Sequence, residues 1–251
     1  KTKTNSPLIQ RLDGIYFNCN FDCNLMNRNI KQTYSNADGV VFQTNFNKDL
    51  IFSWFGEHKN YEIIRNGADL PYISSVKDLW PDLDKWDNVW SCASNWHSYK
   101  RLNENVRYFL EHSSDKDCLI VAGKDPDYIV EHPRIFYVGS LSTEKLISLL
   151  KKSNYFLHLA YLDHCPNVVV DANACGCKII CSSTGGTKEI AGSESIVLKE
   201  DDWDFSLIKE KNPPKINFSN KILNIHSVEP KELSMNFTAK KYYKFLKRSV
   251  F

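Results

Sequence analysis

Apolar residues along this chain fall into short runs that alternate between strand and helix spacing. "SPLIQRLDG" (6–14) is an apolar strand ending in a polar, glycine-terminated loop. "NIKQTYSNA" has helical character, "DGVVFQTN" (38–45) is a second strand, and "KDLIFSWFG" is a helix with a glycine stop. "YEIIRNGADL" (61–70) is a third strand running into an Asn-Gly turn. Residues 71–90, rich in Pro, Asp and Trp, read as a linker whose tryptophans pack between lobes.

The pattern then restarts. "VWSCASN", "DCLIVAG", "RIFYVGS", "NYFLHLAY", "CKIICSS" and "SIVLK" are strands. Between them, "KRLNENVRYFLEHS", "STEKLISLLKKS" and "PNVVVDANACG" are helices, the second with Ser142 as its N-cap and Glu144 in its first turn. Apolar strands separated by helices imply a parallel sheet covered on both faces, an α/β class. The expected organisation is a partial lobe over 1–78, a complete doubly wound lobe over 79–232, and a terminal helix over 233–251 that packs back toward the first lobe. In open parallel sheets ligands bind beyond the carboxyl ends of the strands. The polar segments "RLDG", "RNGAD", "SNWHSYK", "VGSLS", "YLDHCPN" and "SSTGGTKE" all fall there, so a cleft between two lobes uses every one of them.

Composition narrows the function classes. The chain has 251 residues, 42% hydrophobic and 25% charged, with a formal charge of +2, as a soluble globular protein would. Its Lys and Arg are scattered, which argues against a nucleic-acid partner. The dense basic stretch "KKYYKFLKRSV" reads as the solvated face of the terminal helix, with peripheral membrane contact left open. No apolar run approaches the roughly 20 residues that span a bilayer, and no secretory leader is visible, so a cytoplasmic location is expected. Eight cysteines do not form two matching ligand pairs: Cys19 and Cys23 stand apart from Cys175, Cys177 and Cys181. They read as small buried thiols, and no metal is expected.

The segment "YLDHCPNVVVDANACGCKIICSSTGGTKEI" (161–190) holds the candidate chemistry. Asp163 and Asp171 stand with seven residues between them. Chance alone gives about three or four acidic pairs at that spacing, so context must carry the reading. Asp163 sits in the loop after a strand, and Pro166 suits a first helical turn. Free amides near Asn167 and Val168, with the helix dipole, would bind an anion such as a pyrophosphate. Asp171, one turn on, could accept hydrogen bonds from ribose hydroxyls, and Asp163 could reach a sugar hydroxyl.

This segment resembles the E-x7-E region of glycosyltransferase family 4, retaining nucleotide-sugar-dependent enzymes with the two-lobed GT-B fold. "STGGTKEI" is similar to the family's Gly-Gly-x-x-Glu turn, and "IIRNGADL" to the strand end that closes its first lobe. "ASNWHSYKRL" resembles the segment whose basic residues hold the donor phosphates, and "FYVGSLSTEKLISLLKKSNYFLHLA" fits the intervening strand–helix–strand. The resemblance covers residues 7–198. It implies transfer from a UDP- or GDP-linked sugar to a glycan or other hydroxyl acceptor, with no metal or other cofactor. Asp163 and Lys100 would be catalytic. Donor contacts would come from Asn95, His97, Gly139, His164, Pro166, Asn167, Val168, Asp171, Gly185 and Gly186, together with the catalytic pair. Arg11, Asp13 and Asn66 would face the acceptor, and the Gly185-Gly186 turn would let backbone approach the sugar closely. The chain departs from the family in two ways. Both acidic positions are Asp where Glu is usual, one methylene shorter, and His97 stands about where an arginine is common. The family's first strands and their Gly-rich loop are absent, so the first lobe is incomplete, either as a fragment or as a naturally short lobe. A nucleotide-sugar-binding or interaction module without catalysis is the alternative.

Overall fold

The computed structural model describes residues 6–17, 21–126, 128–208, 212–223 and 230–250. Cys19 and Asp127 lie outside them. The first lobe runs β1 (Ile9–Leu12), α1 (Cys23–Asn36), β2 (Gly39–Phe42), α2 (Asn45–Phe55) and β3 (Tyr61–Ile63). Its three strands are parallel, in the order β1-β2-β3. Asp22 starts α1 by accepting from the amides of Asn24 and Leu25, and Thr44 starts α2 by accepting from Asn47. Gly56, at φ 88°, ends α2 in a backbone region that other residues rarely adopt. Val40, Phe42, Leu50 and Ile51 are fully buried between sheet and helices.

The stretch read as a linker is partly structured. α3 (Leu70–Ser75) is capped by Asp69 and carries Pro71 in its first turn, and a 3-10 turn follows at Pro81–Lys85. Six residues are too few to show a helical period, which is why the pattern passed over them. Trp80 and Trp86 do not pack between the lobes. They cover Leu83, Val89, Cys118, Ile120 and Leu149 of the second lobe.

The second lobe runs β4 (Asn88–Asn95), α4 (Leu102–His112), β5 (Asp117–Lys124), β6 (Ile135–Gly139), α5 (Thr143–Lys152), β7 (Tyr155–His158), α6 (Asn167–Ala174), β8 (Lys178–Ser182), β9 (Ile196–Leu198) and β10 (Lys221–Leu223). Its strand order is β10-β9-β8-β7-β4-β5-β6. All neighbours are parallel except β9 and β10; that antiparallel edge strand was not anticipated. Strands β4 to β6 build outward one way and β7 to β9 the other. The order therefore reverses between β4 and β7, where doubly wound sheets open a crevice. The segments after β4 and β7 carry Lys100 and Asp163. Ser142 does cap α5, accepting from Lys145.

The last helix, α7 (Met235–Val250), lies on the first lobe: Phe245 packs with Val41 and Ile64. Arg248 pairs with Glu62 at 2.9 Å, and Asn60 donates to the Ser249 hydroxyl at 3.1 Å. Among the described residues, no helix is long and apolar enough to cross a membrane.

Candidate functional site

At the crevice, β4 ends in a 3-10 turn, Ser98–Lys100, held from behind by Arg101. Arg101 is in the left-handed region (φ 53°) and fully buried, its guanidinium donating to both oxygens of Glu200 and to the Pro214 carbonyl. This anchor fixes the turn, and Lys100 extends to Asp163, Nζ to Oδ2, at 2.5 Å. His158, at the end of β7, donates from Nε2 to the same oxygen at 2.8 Å. The amide of His164 donates to Oδ1 at 3.0 Å. Only 15% of either the Lys100 or the Asp163 side chain is exposed. Burial by itself would raise the Asp163 carboxyl. The His158 hydrogen bond and the Lys100 charge together outweigh it and hold the group far below the usual carboxylate range. Burial also lowers His158 and His164, so both imidazoles are neutral near pH 7.

The Gly185-Gly186 turn packs against this loop. The Gly186 amide donates to the Asp163 carbonyl at 2.7 Å. A Cβ at Gly186 would stand 2.0 Å from the His164 carbonyl oxygen, and one at Gly185 would stand 2.5 Å from that of Asp163. The close approach these glycines permit here is to the Asp163–His164 backbone, within the protein. Three residues on, Glu189 reaches the first lobe: its carboxylate accepts from the amides of Asn45 and Phe46 and caps α2. Thr44 donates to the His164 carbonyl at 3.2 Å, and His164 itself lies against Gly14 and within 3.3 Å of Asn47. His164 is therefore enclosed between the two lobes.

A cavity of about 440 Å³ opens alongside, lined by Arg11 and Asn66 from the first lobe, Thr143, Asn167 and Asp171 from the second, and Tyr242 from α7. Arg11 donates to Asn66 at 2.9 Å and pairs with Asp13; Gln43 donates to both Asp13 and Asn66. Asn66 in turn donates to Asn167 Oδ1 at 2.7 Å and to the Cys165 carbonyl. The residues read as acceptor-facing thus touch the start of α6. Pro166 stands at the N-cap, with extended backbone, rather than inside the first turn. No side chain caps α6, and its first amides bonded back to Pro166 are those of Val169 and Val170. Val168, beside Asn167, begins the same turn. Among the described residues the Asp171 carboxylate has no hydrogen-bond or ion partner, and burial pushes it up to about 6.

Three of the residues singled out from sequence stand apart from this group. Asn95 is exposed at the end of β4, and His97 stacks on Tyr99 with ring centroids 5.9 Å apart. Gly139 (φ 67°) ends β6, an edge strand that β5 separates from β4. The sequence reading missed His158, a lone histidine in an apolar strand that looks like core. It also missed Gln43 and the α7 residues, which only the tertiary fold brings here. Among the described residues no group of three or more His, Cys, Asp or Glu side chains is placed to hold a metal ion. The described cysteines are all free thiols, buried except for the half-buried Cys175.

Comparison with known proteins agrees with this architecture. Residues 99–207 match the family model described as glycosyl transferases group 1. An uncharacterized glycosyltransferase of Methanocaldococcus jannaschii is 24% identical over 188 residues, 68% of this chain and 47% of the relative. The chain thus spans about half the length of that curated relative. Among solved structures, the UDP-forming α,α-trehalose-phosphate synthase of Burkholderia xenovorans, in complex with glucose-6-phosphate, superposes with a TM-score of 0.63 at 14% identity, over 96% of this chain and 67% of that one. Anabaena HepE, in complex with UDP-glucose, does so with a TM-score of 0.57 at 17% identity, over 97% and 65%. The sucrose-phosphate synthase of Thermosynechococcus elongatus gives 0.59 at 19% identity, over 71% and 49%. The fold is that of the GT-B glycosyltransferases, and the second lobe carries the group 1 match.

Proposed function

We propose that this chain carries the donor half, and part of the acceptor half, of a retaining, metal-independent glycosyltransferase of family 4 that uses a UDP- or GDP-linked sugar. The observation that supports it best is the buried Asp163 carboxylate, held by Lys100 and His158 where the sheet order reverses. On donor binding Lys100 moves from Asp163 to the diphosphate, joining the uncapped start of α6 as a second positive pole. Asp163, still oriented by His158, then accepts from a sugar hydroxyl, while Asp171 accepts from the ribose. The bond from the sugar's anomeric carbon to the diphosphate oxygen breaks, and the acceptor oxygen bonds to that carbon on the same face. The acceptor's proton passes to the departing phosphate. Lys100 and the helix start stabilise the charge that develops on the leaving group. The anion charge is met by the chain's own groups, so no divalent ion is required.

Calorimetry with UDP and GDP, with and without EDTA, tests this reading. One of the two should bind equally well under both conditions, and Lys100→Met should weaken it about tenfold or more, the value of a charged hydrogen bond. Strict magnesium dependence would remove the metal-free mechanism. Tight binding without hydrolysis or transfer of any nucleotide sugar would instead leave a donor-binding module.

A further inference from the structure

A second cavity, of about 360 Å³, lies where segment 202–205 crosses from the second lobe onto α2. The crossing is pinned: Trp54 donates from its indole to the Phe205 carbonyl at 2.9 Å, and the Ile208 amide donates to Phe17. Phe46, Trp203 and Phe205 supply aromatic surface to the cavity, with Trp203 6.2 Å from Phe46 and 5.4 Å from Phe205 between ring centroids. Asp49 and Asp202 add carboxylates, and Glu189 and Lys188 also line it, so acidic side chains outnumber basic ones. Leu162 and Gly185 line it too, whereas Lys100 and Asp163 do not. It is therefore one loop removed from the reacting position, yet built from both lobes.

The chemistry of this lining selects its ligand. Three carboxylates against one lining lysine disfavour a diphosphate, although Asp49 pairs with Lys48 at 3.0 Å and Glu189 is taken up by the start of α2. Aromatic surface beside carboxylates suits a pyranose: its C–H face lies on the rings, and its hydroxyls donate to the carboxylates. Small-molecule sites begin at about 300 Å³, so this volume holds one or two sugar units. We infer that this cavity is an outer saccharide subsite, taking a neutral sugar unit of an extended acceptor at a distance from the hydroxyl that reacts. The inference rests on the transferase reading above and adds to it that the acceptor is an oligosaccharide.

Saturation-transfer NMR and calorimetry with neutral gluco-, galacto- and manno-configured saccharides of one to four units test it, with UDP titrated in parallel. At least one neutral oligosaccharide should bind, more tightly than its monosaccharide. Trp203→Leu should weaken that binding about tenfold through lost apolar contact, and Asp202→Asn about threefold. UDP affinity should stay within about twofold in both variants, because neither residue lies at the Lys100–Asp163 site. Trp203 also packs on Phe17 at 4.8 Å, so if Trp203→Leu fails to fold, the exposed Asp202→Asn carries the test. No binding by any saccharide, or binding indifferent to these substitutions, overturns the subsite. Saccharide binding that survives while UDP fails to bind strikes the transferase reading and leaves the subsite standing.

Discussion

Asp163 and Asp171 are the same residue type, eight positions apart, and their surroundings are opposite. Asp163 meets a cation, an imidazole N–H and an amide, and is ionised well below the usual carboxylate range. Asp171 meets only the partly dry wall of a cavity, and its carboxyl is pushed up to about 6. The first is a completed arrangement that stabilises the fold. The second is held at a cost that a ligand's hydroxyls would offset. An unpartnered carboxylate facing a cavity thus marks where a ligand's hydroxyls are expected, and a paired one marks a position whose cation, Lys100, a bound diphosphate would draw away.

The sharpest break of this contrast is Asp163→Asn. It leaves Lys100 largely buried without its counter-charge, so unfolding stability should fall by about 3 kcal/mol by denaturant titration. Transfer should fall far more than nucleotide affinity does. If stability is unchanged, the ion pair contributes nothing and the contrast is lost. The double variant Lys100→Met/Asp163→Asn sharpens it. Removing both charges should restore about 2 kcal/mol relative to the sum of the single losses, a coupling that additive effects would not show.

Asp171→Asn should act in the other direction. A carboxyl whose folded value is raised from 3.8 to about 6 favours the folded state fully below 3.8, and that contribution is lost as pH rises to about 6. Above that window the ionised, unpartnered group opposes folding. The melting temperature of Asp171→Asn, relative to the parent, should therefore rise between pH 4 and pH 7, while its nucleotide affinity drops about tenfold. For Asp163 the sign reverses: its contribution is present above 3.8 and is lost only as pH falls through its lower folded value. A flat difference across pH for Asp171→Asn would show that its carboxylate is already satisfied. The smallest effect is expected from Glu189→Gln, a third acidic residue of the same region, which meets the backbone amides of Asn45 and Phe46 and the Asn45 side-chain amide but, among the described residues, no cation. Losing its charge at the start of α2 should cost about 0.5 kcal/mol, read as a shift in the denaturant midpoint.

Much of this fold is legible in the sequence alone. The strands β1 to β9 and helices α1, α2, α4, α5, α6 and α7 follow from local apolar spacing, Gly56 as a stop and Ser142 as a cap, all encoded within a few residues. α3, six residues long, was too short to leave a helical period, and β10, with two apolar residues between polar ones, carried no run to single it out. His158 was invisible as a site residue because its neighbours in β7 are apolar, so its own segment announces only core.

Local chemistry, then, let the sequence alone determine the α/β class, the parallel second lobe, the loop bearing Asp163 and the helix bearing Asp171. Their remote partners were decided by tertiary structure alone. His158 is five residues from Asp163, on the strand that leads into its loop, whereas Lys100 reaches Asp163 only because β4 and β7, far apart in the chain, are neighbours in the sheet. The same holds for Glu189 on α2, Asn66 on Asn167, and Tyr242 in the cavity wall, each contact joining elements remote in sequence. Whether a carboxylate is paired or bare depends on charges and burial delivered by those distant segments, and no local pattern records them.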